Sequence, residues 1–241
     1  MSLIAKAAGS MLEKALMAPA RVASVAPLGR FRLIELQGDG LKGSGWSPGD
    51  KLRVKLGDLD LRTYTPILWD DKRGVARLLA WLPGRGPGSA WAKAAKAGQS
   101  FYFKGPKESL KLSKAAEGPV VFFGDETAVG AAAALRAMRP DGHAVRFLFE
   151  LEDPEGATAA LSLVGLENAV TIRKGPGQGH LKAIRKQIVE WVGEWAEEGR
   201  IFLVGNQESL KELKSALEKK LGDKAKIKTK VYWREGKKGL D

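Results

Sequence analysis

No cysteine occurs anywhere in the 241 residues. Its absence excludes a disulfide framework, a thiolate metal site, an iron–sulfur cluster and a cysteine nucleophile. Histidine is nearly as scarce. His143 and His180 are the two present, neither has a second His at helical spacing, and a zinc site is not expected. No stretch is long and apolar enough to span a bilayer. The N-terminus lacks the charged start, apolar run and small-residue cleavage site of a secretory signal. The expectation is a cytoplasmic protein with no membrane partner. Acidic residues are outnumbered by basic ones, 28 to 40, for a net charge of +12. Such an excess draws anions. Zinc-ligand spacing and the aromatic pattern of an RNA-recognition sheet are both missing, so nucleic acid is not the expected partner. What the chain has is a 44% hydrophobic content, enough to bury a core. Its length suits one large domain or two ordinary ones.

Residues 1–18 read as an N-terminal helix. Leu3, Ala7, Leu12 and Leu16 give it a weak apolar face, and Pro19 stops it. From Ala20 the period changes to two. Strands are expected at 21–25, 31–36, 51–56, 61–68, 75–82 and 101–104, punctuated by Gly and Pro. About six short strands in residues 19–117 predict a small antiparallel barrel or sandwich. After Gly118 the pattern shifts. Pro119-Val120-Val121-Phe122-Phe123 is continuously apolar, as for a strand buried on both faces. An alanine-rich helix to 138 follows, then strand 144–150, helix 154–164, strand 168–173, helix 180–197, strand 200–204, helix 207–221 and strand 226–233. Strand–helix alternation over 118–241 predicts an α/β domain with a parallel sheet.

Three runs carry candidate chemistry. In Leu61-Arg62-Thr63-Tyr64-Thr65-Pro66, strand alternation puts Arg62 and Tyr64 on one face, Thr63 and Thr65 on the other. A guanidinium near a phenol suits a ligand with a phosphate and a planar ring. Pro66 cannot donate to a sheet ladder, so the strand ends there or lies at an edge. In Gly84-Arg85-Gly86-Pro87-Gly88-Ser89-Ala90, a glycine-rich turn runs into a helix expected at 90–97, with Ser89 as candidate N-cap. Unpaired amides at a helix start, approached over glycines, make an anion seat. Gly124-Asp125-Glu126-Thr127-Ala128 lies at the end of the first parallel strand, where such sheets bind ligands. Lys51, Arg53 and Lys55 alternate onto one face. That face either attracts an anion or simply meets water. Arg173 and Lys174, after the third parallel strand, suit a 2′-phosphate or a solvated strand end.

A barrel followed by a parallel nucleotide-type domain resembles the ferredoxin-reductase-like flavoenzymes. Arg62-Thr63-Tyr64-Thr65 is similar to their Arg-x-Tyr-Ser/Thr flavin motif, and Gly86-Pro87-Gly88-Ser89 to their Gly-x-x-Ser pyrophosphate motif. More narrowly, Arg-Thr-Tyr-Thr-Pro, Gly-Pro-Gly-Ser-Ala-Trp-Ala, Gly-Asp-Glu-Thr-Ala and the ending Tyr232-Trp233-Arg234-Glu235-Gly236 resemble the siderophore-interacting proteins, FAD-dependent ferric-siderophore reductases. The resemblance covers roughly residues 19–236. Two positions depart from the family pattern. Pro83 stands where a His is frequent, and Asn206 follows Gly205 where a Glu is usual.

The resemblance implies a fold of an N-terminal FAD-binding β-barrel and an α/β NAD(P)H-binding domain. It implies bound FAD, with NADPH or NADH as donor and an anionic ferric siderophore as acceptor. The implied cofactor residues are Arg62, Thr63, Tyr64, Thr65, Trp81, Leu82, Gly86, Gly88, Ser89 and Ala90. In the second domain they are Asp125, Glu126, Thr127, Ala128 and Trp233. Lys51, Arg53 and Lys55 are substrate candidates. No side chain need act as acid, base or nucleophile. Two other readings fit the same residues: a general flavin or quinone reductase or electron-transfer protein, and a non-enzymatic anion-binding protein whose flavin site has decayed.

Overall fold

Alternation in the first half of the chain becomes an antiparallel sheet. Its strands are β1 (Ala18–Leu28), β2 (Phe31–Gln37), β3 (Lys51–Lys55), β4 (Leu61–Tyr64), β5 (Leu68–Asp70), β6 (Val75–Trp81) and β7 (Ser100–Lys107). They lie in the order β4-β3-β7-β1-β2-β6-β5. The expected strand at 61–68 is thus two. Pro66 interrupts it, β4 stays at one edge, and β5 pairs with β6 at the other. The Ile67 amide, three residues beyond β4, donates to the Arg77 carbonyl on β6 at 2.9 Å. Three residues span about 10 Å at most, so the two ends of the sheet approach and the sheet curls into a barrel. Leu52, Val54, Ile34, Leu36, Leu78 and Phe103 fill its inside.

The structure is a computed structural model, and it describes residues 17–56, 61–84, 86–112, 118–139 and 145–236. The helix expected at 1–18 lies outside them, except that Ala18 already opens β1. The chain divides into two units, Met1–Ser109 and Leu110–Asp241.

The second unit is a parallel sheet of β8 (Val120–Gly124), β9 (Val145–Leu151), β10 (Val170–Arg173), β11 (Gly199–Asn206) and β12 (Ala225–Trp233), in the order β10-β9-β8-β11-β12. The intervening helices are α2 (Val129–Met138), α3 (Pro154–Leu163), α4 (Leu181–Gly193) and α5 (Gln207–Leu221); α1 (Pro87–Ala94) belongs to the first unit. In α5, Leu210, Leu213, Leu217 and Leu221 recur at helical spacing and are buried against Val121, Phe123 and Leu203 of the sheet. Phe122 meets Phe147 and Phe149 on neighbouring strands. The alanine run of α2 is buried throughout, a close-packed helix face. Connections from β8 run outward to β9 and β10, then return to β11 on the other side of β8. The carboxyl ends of β8 and β11 therefore form the switch point at which such sheets bind ligands.

Candidate functional site

Each unit carries its own constellation. In the barrel, β4 pairs with β3 so that Tyr64 faces Leu52, Thr63 faces Arg53 and Arg62 faces Val54. Opposed residues point to the same side of a sheet. Arg62 and Tyr64 therefore share the side of the core residues Leu52 and Val54, as the alternation predicts. Tyr64 packs on Trp91 of α1, ring centroids 5.6 Å apart. Burial pushes its phenol well above the usual range, against the pull of the Arg62 charge. The Arg62 Nη1 donates to the Leu61 carbonyl at 2.6 Å.

The glycine-rich turn meets these residues. A Cβ built on Gly88 would stand 3.5 Å from the Arg62 Cγ and 3.5 Å from the Tyr64 hydroxyl. Two motifs separated by some twenty residues thus converge on one spot. The helix begins earlier than the sequence reading placed it. α1 starts at Pro87, with Gly86 at the N-cap in a left-handed conformation (φ 82°). Proline's fixed φ is pre-set for the first helical position and its missing N–H is no loss there. Ser89 is accordingly not the cap. It lies in the first turn, and its hydroxyl accepts the Gly84 amide at 3.2 Å, closing the loop. At the far end of α1, Arg32 Nη1 donates to the Ala92 and Ala95 carbonyls at 3.3 and 3.2 Å. A cation on the last carbonyls favours the helix dipole and fixes the helix in place. Trp81 ends β6, and Leu82 donates to the Arg30 carbonyl at 2.9 Å beside it.

Arg53 and Lys55 share a face, but it is not the face of Arg62 and Tyr64, while Lys51 lies outside the β3–β4 register, beyond an irregularity in the pairing of β3 with β7. Arg53 and Lys55 alternate with the core residues Leu52 and Val54, and Arg53 opposes Thr63. The structure does not bring them to the Arg62–Gly88 spot, and Lys51 is buried.

In the second unit, Asp125 follows β8 and is 1% exposed. Its Oδ2 accepts the Asn206 amide at 2.9 Å and the Trp233 indole N–H at 2.7 Å. Its Oδ1 accepts the Thr127 amide at 2.9 Å and the Thr127 hydroxyl. Burial pushes this carboxyl up; the Thr127 hydroxyl and the Trp233 indole oppose it. Asp125 thereby ties the ends of β8, β11 and β12 together rather than offering a free oxygen. Trp233 is half-buried, and the Lys174 ammonium stands 5.0 Å from its ring centroid. Asn206 caps α5, its Oδ1 accepting the Glu208 and Ser209 amides at 3.0 and 3.1 Å. Glu126 is 4% exposed and accepts the Glu152 amide at 2.6 Å. Burial, followed by the nearby Asp125 charge, pushes its carboxyl up to about 8. Ala128 closes a short 3-10 turn from Glu126 and is fully buried.

Sequence reasoning missed one pair here. Glu150, penultimate on β9, bonds to His180, the N-cap of α4, through Oε2 and Nε2 at 2.7 Å. The signals available were a lone acid inside the apolar run Phe147-Leu148-Phe149-Glu150-Leu151 and a His directly after the glycines at 175, 177 and 179. Among the described residues, no group of three or more His, Cys, Asp and Glu is placed to hold a metal ion. No helix among them is long and apolar enough to cross a membrane.

Comparison with known proteins gives consistent answers. A search of curated proteins finds no match. Among solved structures, the siderophore interacting protein of Acinetobacter baumannii superposes with a TM-score of 0.72 at 18% identity, covering 91% of each chain. The ferredoxin reductase in carbazole 1,9a-dioxygenase, described as its FAD apo form, gives 0.67 at 15% identity over 88% of this chain and 67% of that one. Phthalate dioxygenase reductase, described as modular for electron transfer from pyridine nucleotides to [2Fe-2S], gives 0.67 at 15% identity over 90% and 69%. At such identities the likeness is one of fold, and the fold is ferredoxin-reductase-like. Family comparison adds to this for the parallel-sheet unit: residues 118–236 match the family model described as siderophore-interacting protein.

Proposed function

We propose that this protein is an FAD-containing, cytoplasmic reductase that takes electrons from NADH or NADPH and delivers them to a ferric siderophore, releasing iron as Fe(II). The observation that carries the reading is the convergence of Gly88 on Arg62 and Tyr64. A positive group, an aromatic ring and a helix N-terminus with bare glycine backbone meet there. That set fits the phosphates and flat ring system of FAD. Arg62 would balance phosphate charge. The first-turn amides at Gly88 and Ser89 would donate to the pyrophosphate, with Gly86 keeping the approach open; the Ala90 amide is already bonded to the Gly86 carbonyl at 3.1 Å and is not assigned to it. Tyr64, Trp81 and Leu82 would supply apolar surface, and Thr65, just beyond the end of β4, a hydroxyl beside it; Thr63 turns to the other side of β4 with Arg53 and is not assigned to the flavin. Arg32 and Ser89 hold α1 and its loop in position for this.

Bound FAD would supply the conversion of a two-electron donor into one-electron deliveries. The ferric chelate is the substrate; Fe(II) is held more weakly than Fe(III) by hard oxygen ligands, so reduction frees it. A net charge of +12 favours an anionic chelate. Arg53 and Lys55 are not assigned to it, because they face away from Arg62 and Tyr64, and neither is Lys51, which is buried. The carboxyl ends of β8 and β11 are where the second unit would take the nucleotide.

The visible absorption spectrum tests this, recorded before and after adding FAD and desalting. A retained flavin spectrum is expected. No retained flavin would sink the reductase reading. The likeness in fold to phthalate dioxygenase reductase favours a second reading, a general electron-transfer flavoprotein. Faster reduction of neutral quinones than of anionic ferric chelates would select it.

A further inference from the structure

We infer that Glu150 and His180 are a receptor for the hydroxyl groups of the adenosine ribose, and that the parallel-sheet unit therefore takes NADH in preference to NADPH. The inference rests on the proposed use of a nicotinamide nucleotide and adds which one. It starts from an imbalance. Glu150 is 0% exposed and the His180 side chain 6% exposed, and they share one 2.7 Å bond. Glu150 Oε1 and His180 Nδ1 are both buried, and neither has a hydrogen-bond partner. Buried polar atoms are almost always paired, and exceptions mark a site or an unseen partner.

The chemistry of the two atoms narrows the partner. The open oxygen of Glu150 asks for a donor. His180 Nδ1 donates or accepts according to the tautomer, and a hydroxyl group meets either need. A vicinal diol brings two O–H groups. A phosphate at neutral pH brings almost none, and carries negative charge toward carboxylates. Asp125 is near enough for the Glu150 charge to push its carboxyl up, so a second acid faces the same region.

The placement agrees. Glu150 lies at the carboxyl end of β9, next to β8 at the switch point. In dinucleotide-binding sheets an acid beyond the first turn bonds the ribose hydroxyl of NAD, and a cation takes the extra phosphate of NADP. The two cations that the sequence offers for a 2′-phosphate are engaged elsewhere. Arg173 pairs with the Glu155 carboxylate and donates to the Glu152 carbonyl at 3.0 Å. Lys174 lies over Trp233. A ribose must displace part of the cover over these two buried groups. The segment before His180 has open space beside it, since a Cβ built on Gly175, Gly177 or Gly179 would meet nothing within 4 Å.

The test is equilibrium binding to the full-length, FAD-loaded protein, its flavin reduced beforehand under exclusion of oxygen so that no hydride is transferred, followed by nucleotide fluorescence. The probes are NADH, NADPH and the 2′-deoxyadenosine form of NADH. NADH is expected to bind about tenfold tighter than either of the others, the usual worth of one hydrogen bond to a charged acceptor. Glu150→Gln should weaken NADH by a similar factor and leave NADPH unchanged or tighter. The 2′-deoxy comparison needs no variant, so it holds even where Glu150→Gln misfolds. NADPH binding as tightly as NADH, or equal binding of the 2′-deoxy form, overturns the inference and leaves the reductase reading intact. Selective loss of NADPH binding in Arg173→Ala, with NADH binding unaffected, also overturns it. Failure of both nucleotides to bind, with FAD retained, overturns the nicotinamide reading and this inference with it.

Discussion

The indole N–H of Trp233 donates to Asp125 Oδ2 at 2.7 Å, across 108 residues of sequence. Asn206 shares the same oxygen and Thr127 takes the other. One buried carboxylate therefore closes the carboxyl ends of the first, fourth and fifth parallel strands. Asp125→Ala should cost at least about 3 kcal/mol, since each buried donor left unpaired costs about 1–3 kcal/mol. Asp125→Asn should also destabilise, because an amide turns two donors toward N–H groups. Urea denaturation measures both. An Asn variant as stable as the native chain would show that the second oxygen contributes nothing, and an Ala variant as stable that the network does not.

Gly205 is fixed by the same carboxylate. Its φ is +130°, and a Cβ there would overlap Asp125. Strain and collision act together, so Gly205→Ala should lose more than about 2 kcal/mol or fail to fold. Gly179→Ala is the contrast, with open space where the methyl would sit. Its thermal midpoint should stay within a degree or two of the native value, about what a change of a few tenths of a kcal/mol produces. Equal losses at the two positions would refute this account.

Asn206 stands where a glutamate is usual in the family pattern, and its geometry gives a reason. Its side chain accepts two amides at the start of α5, a role suited to Asn, Asp, Ser or Thr. Asn206→Ala should cost about 1 kcal/mol, the ordinary worth of a cap. Asn206→Glu restores the family carboxylate but loses the short-reach cap, and should be destabilised too. Thermal melting of the pair checks this, with a Glu variant at or above the native midpoint as the contrary result.

Much of this architecture was legible from pattern. The spacing of Leu210, Leu213 and Leu217 predicts α5, and the unbroken apolar run before Gly124 predicts a strand covered on both faces. The shared face of Arg62 and Tyr64 follows from strand alternation and is what the register shows. Alternation within one strand says nothing about the next, however. Only the β3–β4 register reveals that Arg53 and Lys55 turn away from Arg62. The start of α1 moved because Pro87 suits the first helical position better than Ser89 suits the cap. Asp125 with Trp233, and Glu150 with His180, are tertiary pairings between strand ends and helix starts, with no local pattern to announce them.

Gly88 separates stability from cofactor binding. A methyl there would stand in ordinary contact with Arg62 and Tyr64, at 3.5 Å. Alanine is favoured over glycine by about 1 kcal/mol inside a helix. Gly88→Ala should therefore melt at or slightly above the native temperature. Yet it fills the surface over which a pyrophosphate would lie, so retained FAD should fall several-fold on desalting. Undiminished flavin in Gly88→Ala would place the cofactor elsewhere on the barrel.

Glu126 gives the protein a pH dependence of definite sign. The unfolded carboxyl titrates near 4.5 and the folded one near 8, chiefly because it is buried and Asp125 is close. Between those values the unfolded chain releases a proton that the folded chain keeps. Stability is then full below pH 4.5 and falls as pH rises toward 8, at up to about 1.4 kcal/mol per unit. Glu126→Gln keeps an oxygen for the Glu152 amide and removes the titration. The native chain should lose stability relative to this variant by a few kcal/mol between pH 5 and 8, the variant being the more stable at the alkaline end. Urea midpoints across that range measure the difference. A gap that stays constant with pH would mean that Glu126 ionises in the folded protein as readily as in the unfolded chain, and that its burial is relieved by water.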